Sequence, residues 1–161
     1  MNKLLPALLA ATTLIPAAGI AAAPARGGVT ITTGLLREQR VAAADGSTAV
    51  RLVAPTRITP GDHLVYRISY RNGGQQPASG VVIANPVPAH LLYAGPAANS
   101  PAADLSVDGR TFGPLATLSV PTAGGGKRPA EAADVRVVRW RLAQPLAPGG
   151  EGQVGFRALL K

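Results

Sequence analysis

From His63 to Arg71 the chain alternates with period two. Leu64, Tyr66, Ile68 and Tyr70 fall in one phase, and His63, Val65, Arg67, Ser69 and Arg71 in the other. Successive side chains of a strand point to opposite faces, so this pattern describes a half-buried strand with an apolar and a polar side. The C-terminal segment repeats it, with Val154, Phe156, Ala158 and Leu160 set against Gln153, Gly155, Arg157 and Leu159. No stretch sustains a capped 3.6-residue period, which leaves little room for helix.

Turn chemistry separates the alternating segments. Pro60–Gly61–Asp62 and Pro148–Gly149–Gly150 each precede a strand, with Pro setting φ and Gly supplying positive φ. Asp45–Gly46 and Asp108–Gly109 are hairpin-type pairs, and Asn72–Gly73–Gly74 closes the His63–Arg71 strand. The pattern predicts strands near 29–33, 36–43, 48–54, 62–71, 80–85, 105–107, 110–112, 116–120, 134–142 and 151–160. Many short strands with Gly/Pro turns specify an all-β sandwich or barrel. Within 134–142 the phase slips between Val135/Val137 and Val138/Trp140/Leu142, and a bulge between Val137 and Val138 would reconcile them. The Gly- and Pro-bearing stretch Thr122–Ala133 reads as a mobile loop.

The 161 residues suit one domain, and 47 % hydrophobic residues suffice for a core, although aromatics at 4 % make it a Val/Leu core. Cysteine is absent, which removes disulfides, thiol nucleophiles and Cys-based metal sites. The amino end has the order of a secretory signal peptide: Met1–Asn2–Lys3, then an apolar stretch from Leu4 to Ile20, then Ala21–Ala22–Ala23–Pro24–Ala25. Ala23 and Ala25 place cleavage after Ala25, with Gly19-x-Ala21 as the alternative. Pro6, Thr12, Thr13 and Pro16 dilute the stretch below a spanning helix, and no apolar run downstream is long enough to span. The expected product is exported, periplasmic or extracellular, without a transmembrane segment. The expected divisions are 1–25 as signal peptide, 26–46 as an N-terminal strand region and 47–161 as the sandwich domain.

Over residues 47–160 a set of short motifs follows in order. Pro60–Gly61–Asp62 leads into Leu64-x-Tyr66-x-Ile68-x-Tyr70 and Asn72–Gly73–Gly74. Then come Val81-x-Ile83, Asn85-x-Val87–Pro88–Ala89, Leu91–Leu92–Tyr93, Val138-x-Trp140-x-Leu142 and Leu146–Ala147–Pro148–Gly149–Gly150. The series resembles the bacterial conserved-repeat domain, domain of unknown function 11. Departures are Asn85 where that family usually has Asp, a longer region over Asp104–Pro129, and a single copy in place of tandem arrays. The resemblance implies an immunoglobulin-like antiparallel β-sandwich on secreted or surface bacterial proteins, and it transfers no catalytic residue.

Enzyme chemistry finds no constellation in the sequence. The eight acids, Glu38, Asp45, Asp62, Asp104, Asp108, Glu131, Asp134 and Glu151, mostly flank turns and strand ends. No serine sits in a G-x-S-x-G elbow. Gly124–Lys127 lacks the leading glycine of a phosphate loop, and Arg128 stands where Ser or Thr belongs. His63 and His90 lack partners at metal spacing, and Asp104 and Asp108 lack a calcium-loop rhythm. The expectation is a non-enzyme with no cofactor and no metal. Trp140, Tyr66 and Tyr70 fall on core faces.

The remaining signal is arginine, in a chain of net charge +8. Arg67 and Arg71 share a polar phase, and Arg136, Arg139, Arg141 and Arg157 lie on the C-terminal strands. Were those strands neighbours, their guanidinium groups would line one face able to hold phosphate or carboxylate bidentately. Two functions stand at this point. One is a non-catalytic structural or protein-interaction module of the cell envelope, its partner an envelope or surface protein. The other is a polyanion-binding module for lipopolysaccharide, acidic glycan or DNA, although no specific nucleic-acid motif is present. A chaperone presenting an acceptor edge is a third.

Overall fold

The computed structural model describes residues 28–161 apart from residue 44, so the signal-peptide assignment at 1–25 lies outside the described residues. The chain is all-β, in antiparallel sheets with two short 3-10 turns. Strands β1 (Val29–Ala42), β2 (Thr48–Val53), β3 (His63–Asn72), β5 (Leu91–Pro96) and β10 (Glu151–Leu160) form one sheet in the order β2-β1-β3-β10-β5. Strands β4 (Val82–Pro86), β6 (Asp104–Ser106) and β9 (Val137–Arg141) form a second in the order β4-β9-β6. β7 (Ser119–Pro121) and β8 (Lys127–Pro129) make a separate hairpin. The chain crosses from the first sheet to the second after β3, returns for β5, leaves again for β6 and comes back with β10.

The alternation read in the sequence accounts for the packing between the sheets. Leu64 and Ile68 of β3 and Val154, Phe156 and Ala158 of β10 meet Ile83, Leu105, Val138 and Trp140 from the smaller sheet, all buried. Phe156 is the centre: Tyr66 stacks on it at 4.8 Å and 5° between planes, and Tyr93 and Trp140 lie 6.1 and 6.5 Å away. Trp140 also donates Nε1–H to the Pro101 carbonyl at 3.2 Å, so its one polar atom is satisfied in the core. Tyr70 lies over Gly152, which faces it across β3 and β10 and has no side chain to obstruct the ring.

Both ends of β3 are tied to β10 by the turn motifs. At one end Gly61 (φ +91°) donates its N–H to the Leu160 carbonyl, and Asp62 Oδ2 accepts the Thr59 N–H at 2.8 Å. At the other, buried Asn72 donates Nδ2–H to the carbonyls of Gln76 and Leu146, each at 2.8 Å, and accepts the Gly74 N–H at 2.9 Å. Its backbone N–H and carbonyl engage Gly150 and Gly149. The Asn72–Gly74 turn and the Leu146–Gly150 turn are therefore one structural unit.

Several expectations are corrected. The strands expected at 29–33 and 36–43 are one strand, β1, because its pairing with β3 from Val29–Asn72 to Arg37–Leu64 runs straight through Gly34. The boundary at 46/47 falls inside the β1–β2 hairpin, and β1 belongs to the larger sheet. Residues 110–112 form no strand, since Asp108 Oδ1 takes the N–H groups of Arg110 and Thr111, both at 2.8 Å. Those amides close a turn in place of a ladder. The segment expected as a strand at 116–120 opens as a 3-10 turn at Leu115–Thr117. No bulge separates Val137 from Val138, because the β4–β9 register is regular. The phase changes earlier, where Val135 caps the 3-10 turn Ala132–Asp134 before the strand starts. Thr122–Ala133 is ordered as the β7–β8 turn, β8 and that 3-10 turn, with Arg128 held bidentately by Asp134 at 2.7 and 2.8 Å. β5 lies in a stretch that lacks alternation, and its pairing with β10 shifts register between Phe156 and Ala158.

Candidate interaction surface

The far side of the larger sheet is exposed and carries the polar phase of each strand. Register places Arg67 of β3 between Gly34 of β1 and Gly155 of β10, and Val65 between Leu36 and Arg157. A groove of about 710 Å³ opens there. Val50 and Leu52 of β2 form one wall, residues 96–100 the other, and Val65, Arg67 and Gly155 the floor. The second wall depends on Gly155. The Ala97 N–H donates to the Gly155 carbonyl at 3.1 Å, and the Gly155 N–H donates to Ser100 Oγ at 3.0 Å. A side chain at 155 would meet the Tyr66 carbonyl and Ala97, so only glycine lets this segment close over the sheet.

The six arginines singled out in the sequence divide between the two sheets. Arg67 and Arg157 line the groove, exposed and without an acidic partner within ion-pair distance among the described residues. Arg71 shares their face but lies 4.0 Å from Glu151, both well exposed. Such a pair contributes little in water. Arg136, Arg139 and Arg141 belong to the smaller sheet or its approach and do not join that face. Arg139 is held by Asp104 at 2.9 Å with its guanidinium 3.7 Å from the Phe112 ring centre, and Asp104 also attracts Arg141 Nε at 3.6 Å. Arg136 donates to the Ala133 carbonyl at 3.2 Å. The strands do become neighbours for Arg67, Arg71 and Arg157, but not for the other three.

No protein-family profile, curated protein or solved structure matches this chain. Among the described residues no three His, Asp or Glu side chains gather as metal ligands, and no helix is long and apolar enough to cross a membrane. His63 and His90 are exposed on separate segments. Gly124–Lys127 is a hairpin turn, with Gly125 at φ +81° and the Thr122 N–H donating to the Gly126 carbonyl. Asp62 Oδ2 and Asp108 Oδ1 accept turn amides, and Asp108 Oδ2 accepts the Thr111 hydroxyl. Backbone N–H groups of Arg110 and Thr111 hold the Asp108 carboxyl far below the usual carboxylate range.

One feature was outside the reach of sequence reasoning: which strand ends the sheet. One edge is β2, and among the described residues its backbone is open. The Ala43 N–H donates to the Ser47 carbonyl at 2.8 Å, next to the Ala42–Thr48 pair. Antiparallel pairs alternate between bonded and non-bonded. The pairs Val41–Ala49, Gln39–Arg51 and Arg37–Val53 therefore exchange hydrogen bonds across the hairpin. Thr48, Val50 and Leu52 direct N–H and C=O away from it. All three are exposed, Val50 by 59 % and Leu52 by 38 %. A strand with both phases exposed carries little alternation to mark its place, and only the fold reveals the edge.

Proposed function

We propose that this chain is an exported, non-catalytic structural or protein-interaction module of the bacterial cell envelope. In this reading it is an immunoglobulin-like sandwich related to the conserved-repeat domains. The observation that carries the interaction role is the edge of β2, open among the described residues, where exposed Val50 and Leu52 flank unpaired backbone groups. Sheet edges of this kind are templates for another strand and are usually blunted in proteins that stay alone. The relationship is supported by the way the Asn72–Gly74 and Leu146–Gly150 turns complete each other, and by strands passing alternately between two sheets. Export is supported by the ordered charged, apolar and small segments of residues 1–25.

The test is fractionation of a bacterium producing the full chain with a C-terminal tag, followed by crosslinking in the intact envelope. The expected result is a product shortened at its amino end, recovered outside the cytoplasm and crosslinked to a defined envelope protein in high salt. A full-length cytoplasmic product without such a partner would overturn the reading.

A second reading has its own observation: among the described residues Arg67 and Arg157 have no acid in ion-pair distance, although Glu38 also lines their groove. They would hold phosphate or carboxylate groups of an envelope polyanion. Binding of that kind weakens steeply as salt rises, whereas strand addition is far less sensitive. Retention of purified chain on immobilised lipopolysaccharide, lost on Arg67→Ala and Arg157→Ala, would favour it.

A further inference from the structure

Resting on the interaction reading above, we infer that the β2 edge accepts an extended strand from a different protein, apolar opposite Val50 and Leu52 and acidic opposite Arg51. The backbone phase sets the register. Thr48, Val50 and Leu52 offer N–H and C=O outward, so an antiparallel strand exchanges hydrogen bonds at those three positions. Its side chains there lie on the same face as Val50 and Leu52, and β-branched or aliphatic residues would cover that exposed apolar surface. The intervening residues of the incoming strand stand on the other face, opposite Ala49 and Arg51.

Charge selects the occupant. Arg51 is exposed on the face where the acidic residues of the incoming strand stand, whereas Arg40, across from Val50 on β1, lies on the other face. The acids nearby are Glu38, across from Leu52, and Asp45, whose carboxylate is engaged by Ser47 in the hairpin turn. A second copy is disfavoured. Pairing two β2 edges about a twofold axis at Arg51 sets Arg51 directly against its mate, and an axis at Val50 leaves the two diagonal neighbours. Like charges so placed destabilise a sheet, and opposite charges stabilise it. An acidic strand turns the Arg51 charge into attraction and gives the edge a preference among partners.

The experiment uses the purified chain and two synthetic ten-residue peptides, one alternating valine with glutamate and one alternating valine with lysine. Amide exchange with solvent is followed by NMR. At about ten times the dissociation constant of the valine/glutamate peptide, exchange of the Thr48, Val50 and Leu52 amides should slow about tenfold. The valine/lysine peptide should protect none of them. Val50→Pro removes one outward N–H without taking a β1–β2 hydrogen bond, and should abolish protection. Should that variant misfold, Arg51→Glu supplies the test: it should weaken the glutamate peptide several-fold and admit the lysine peptide.

Equal binding of both peptides, or protection confined to residues around Arg67 and Arg157, would overturn the inference. So would self-association through β2 without peptide. These outcomes are separate from failure of the broader reading. A chain that crosslinks to an envelope protein yet ignores the acidic strand retains the module and loses this edge. A chain that binds the peptide but stays cytoplasmic keeps the edge and loses the envelope role.

Discussion

At the scale of single residues, two polar side chains tie together segments that the apolar core does not reach. Asn72 is almost fully buried and uses both amide hydrogens and its carbonyl oxygen to join two turns separated by 74 positions. Asn72→Ala would remove the partners of the Gln76 carbonyl and the Gly74 N–H and leave the Leu146 carbonyl with the Ala78 N–H alone. A lost hydrogen bond at such partly buried groups costs roughly 0.5–1.5 kcal/mol, so chemical denaturation should show a loss of about 1–3 kcal/mol. Asn72→Asp, nearly isosteric, should do no better because a carboxylate brings no hydrogen to either carbonyl. Asp134 governs an acid response. Arg128's guanidinium, and then the Glu131 N–H, hold its carboxyl down to about 2, against an ordinary 3.8. A depressed value means that the folded state favours the charged form. Its stabilising effect is complete above pH ~4 and disappears as pH falls through about 2. Stability measured against pH should therefore show wild type and Asp134→Asn converging across that interval and parallel above it. Neither role could be read from residue type alone, since Asn72–Gly73–Gly74 and the acid at 134 look like ordinary turn and strand-end chemistry until their distant partners are known.

At the scale of elements, what the sequence revealed depended on how fully each strand is sandwiched. β3 and β10 alternate because one face of each is buried in the core, as at Leu64, Ile68, Val154 and Phe156, and the other is mostly wet, with Val65 and Gly155 covered at the groove floor. β5 lies at the opposite edge of the sheet with consecutive Leu91, Leu92 and Tyr93, and a register shift against β10 removes any simple period. Residues 110–112 look extended by composition, but a side-chain oxygen of Asp108 outcompeted the ladder for their amides. The candidate surface was half legible. Arg67 and Arg71 declare a common outward phase, whereas the separation of Arg157 from Arg139 into different sheets is a matter of topology. The two glycines of β10 separate further at this scale. Gly155→Ala sets a methyl group against backbone at Tyr66 and against Ala97, so it should cost about 1–3 kcal/mol and shift the NMR resonances of residues 97–100. Gly152→Ala meets only the ring and hydroxyl of Tyr70, which can swing aside, and should cost less in the same denaturation assay.

At the scale of the whole molecule, cohesion falls off from Phe156 toward the β1–β2 hairpin. The core cluster joins β3 and β10 to β4, β6 and β9, with Leu64, Ile68, Val138 and Phe156 at 1 % exposure or less. β1 shares that support only as far as Arg37, where its pairing with β3 ends, and Arg37 there faces Asp62 at 3.8 Å. Beyond it, residues 38–42 and 48–52 are joined by a single ladder, without a third strand beside them among the described residues. An isolated two-stranded ribbon is marginal in water, so this end should open without unfolding the rest. Native-state hydrogen exchange in rising denaturant reads the difference. The amides of Gln39, Val41, Ala49 and Arg51, which bond across the hairpin, should exchange through a local opening almost independent of denaturant. Those of Ile68, Val138, Val154 and Phe156 should follow global unfolding with its full denaturant slope. A strand arriving at β2 would give the ribbon its missing neighbour, and the hairpin amides should then move toward the slow class. If all eight amides instead share one slope in the free chain, the hairpin is already as secure as the core, and a partner strand would add to a rigid edge without ordering it.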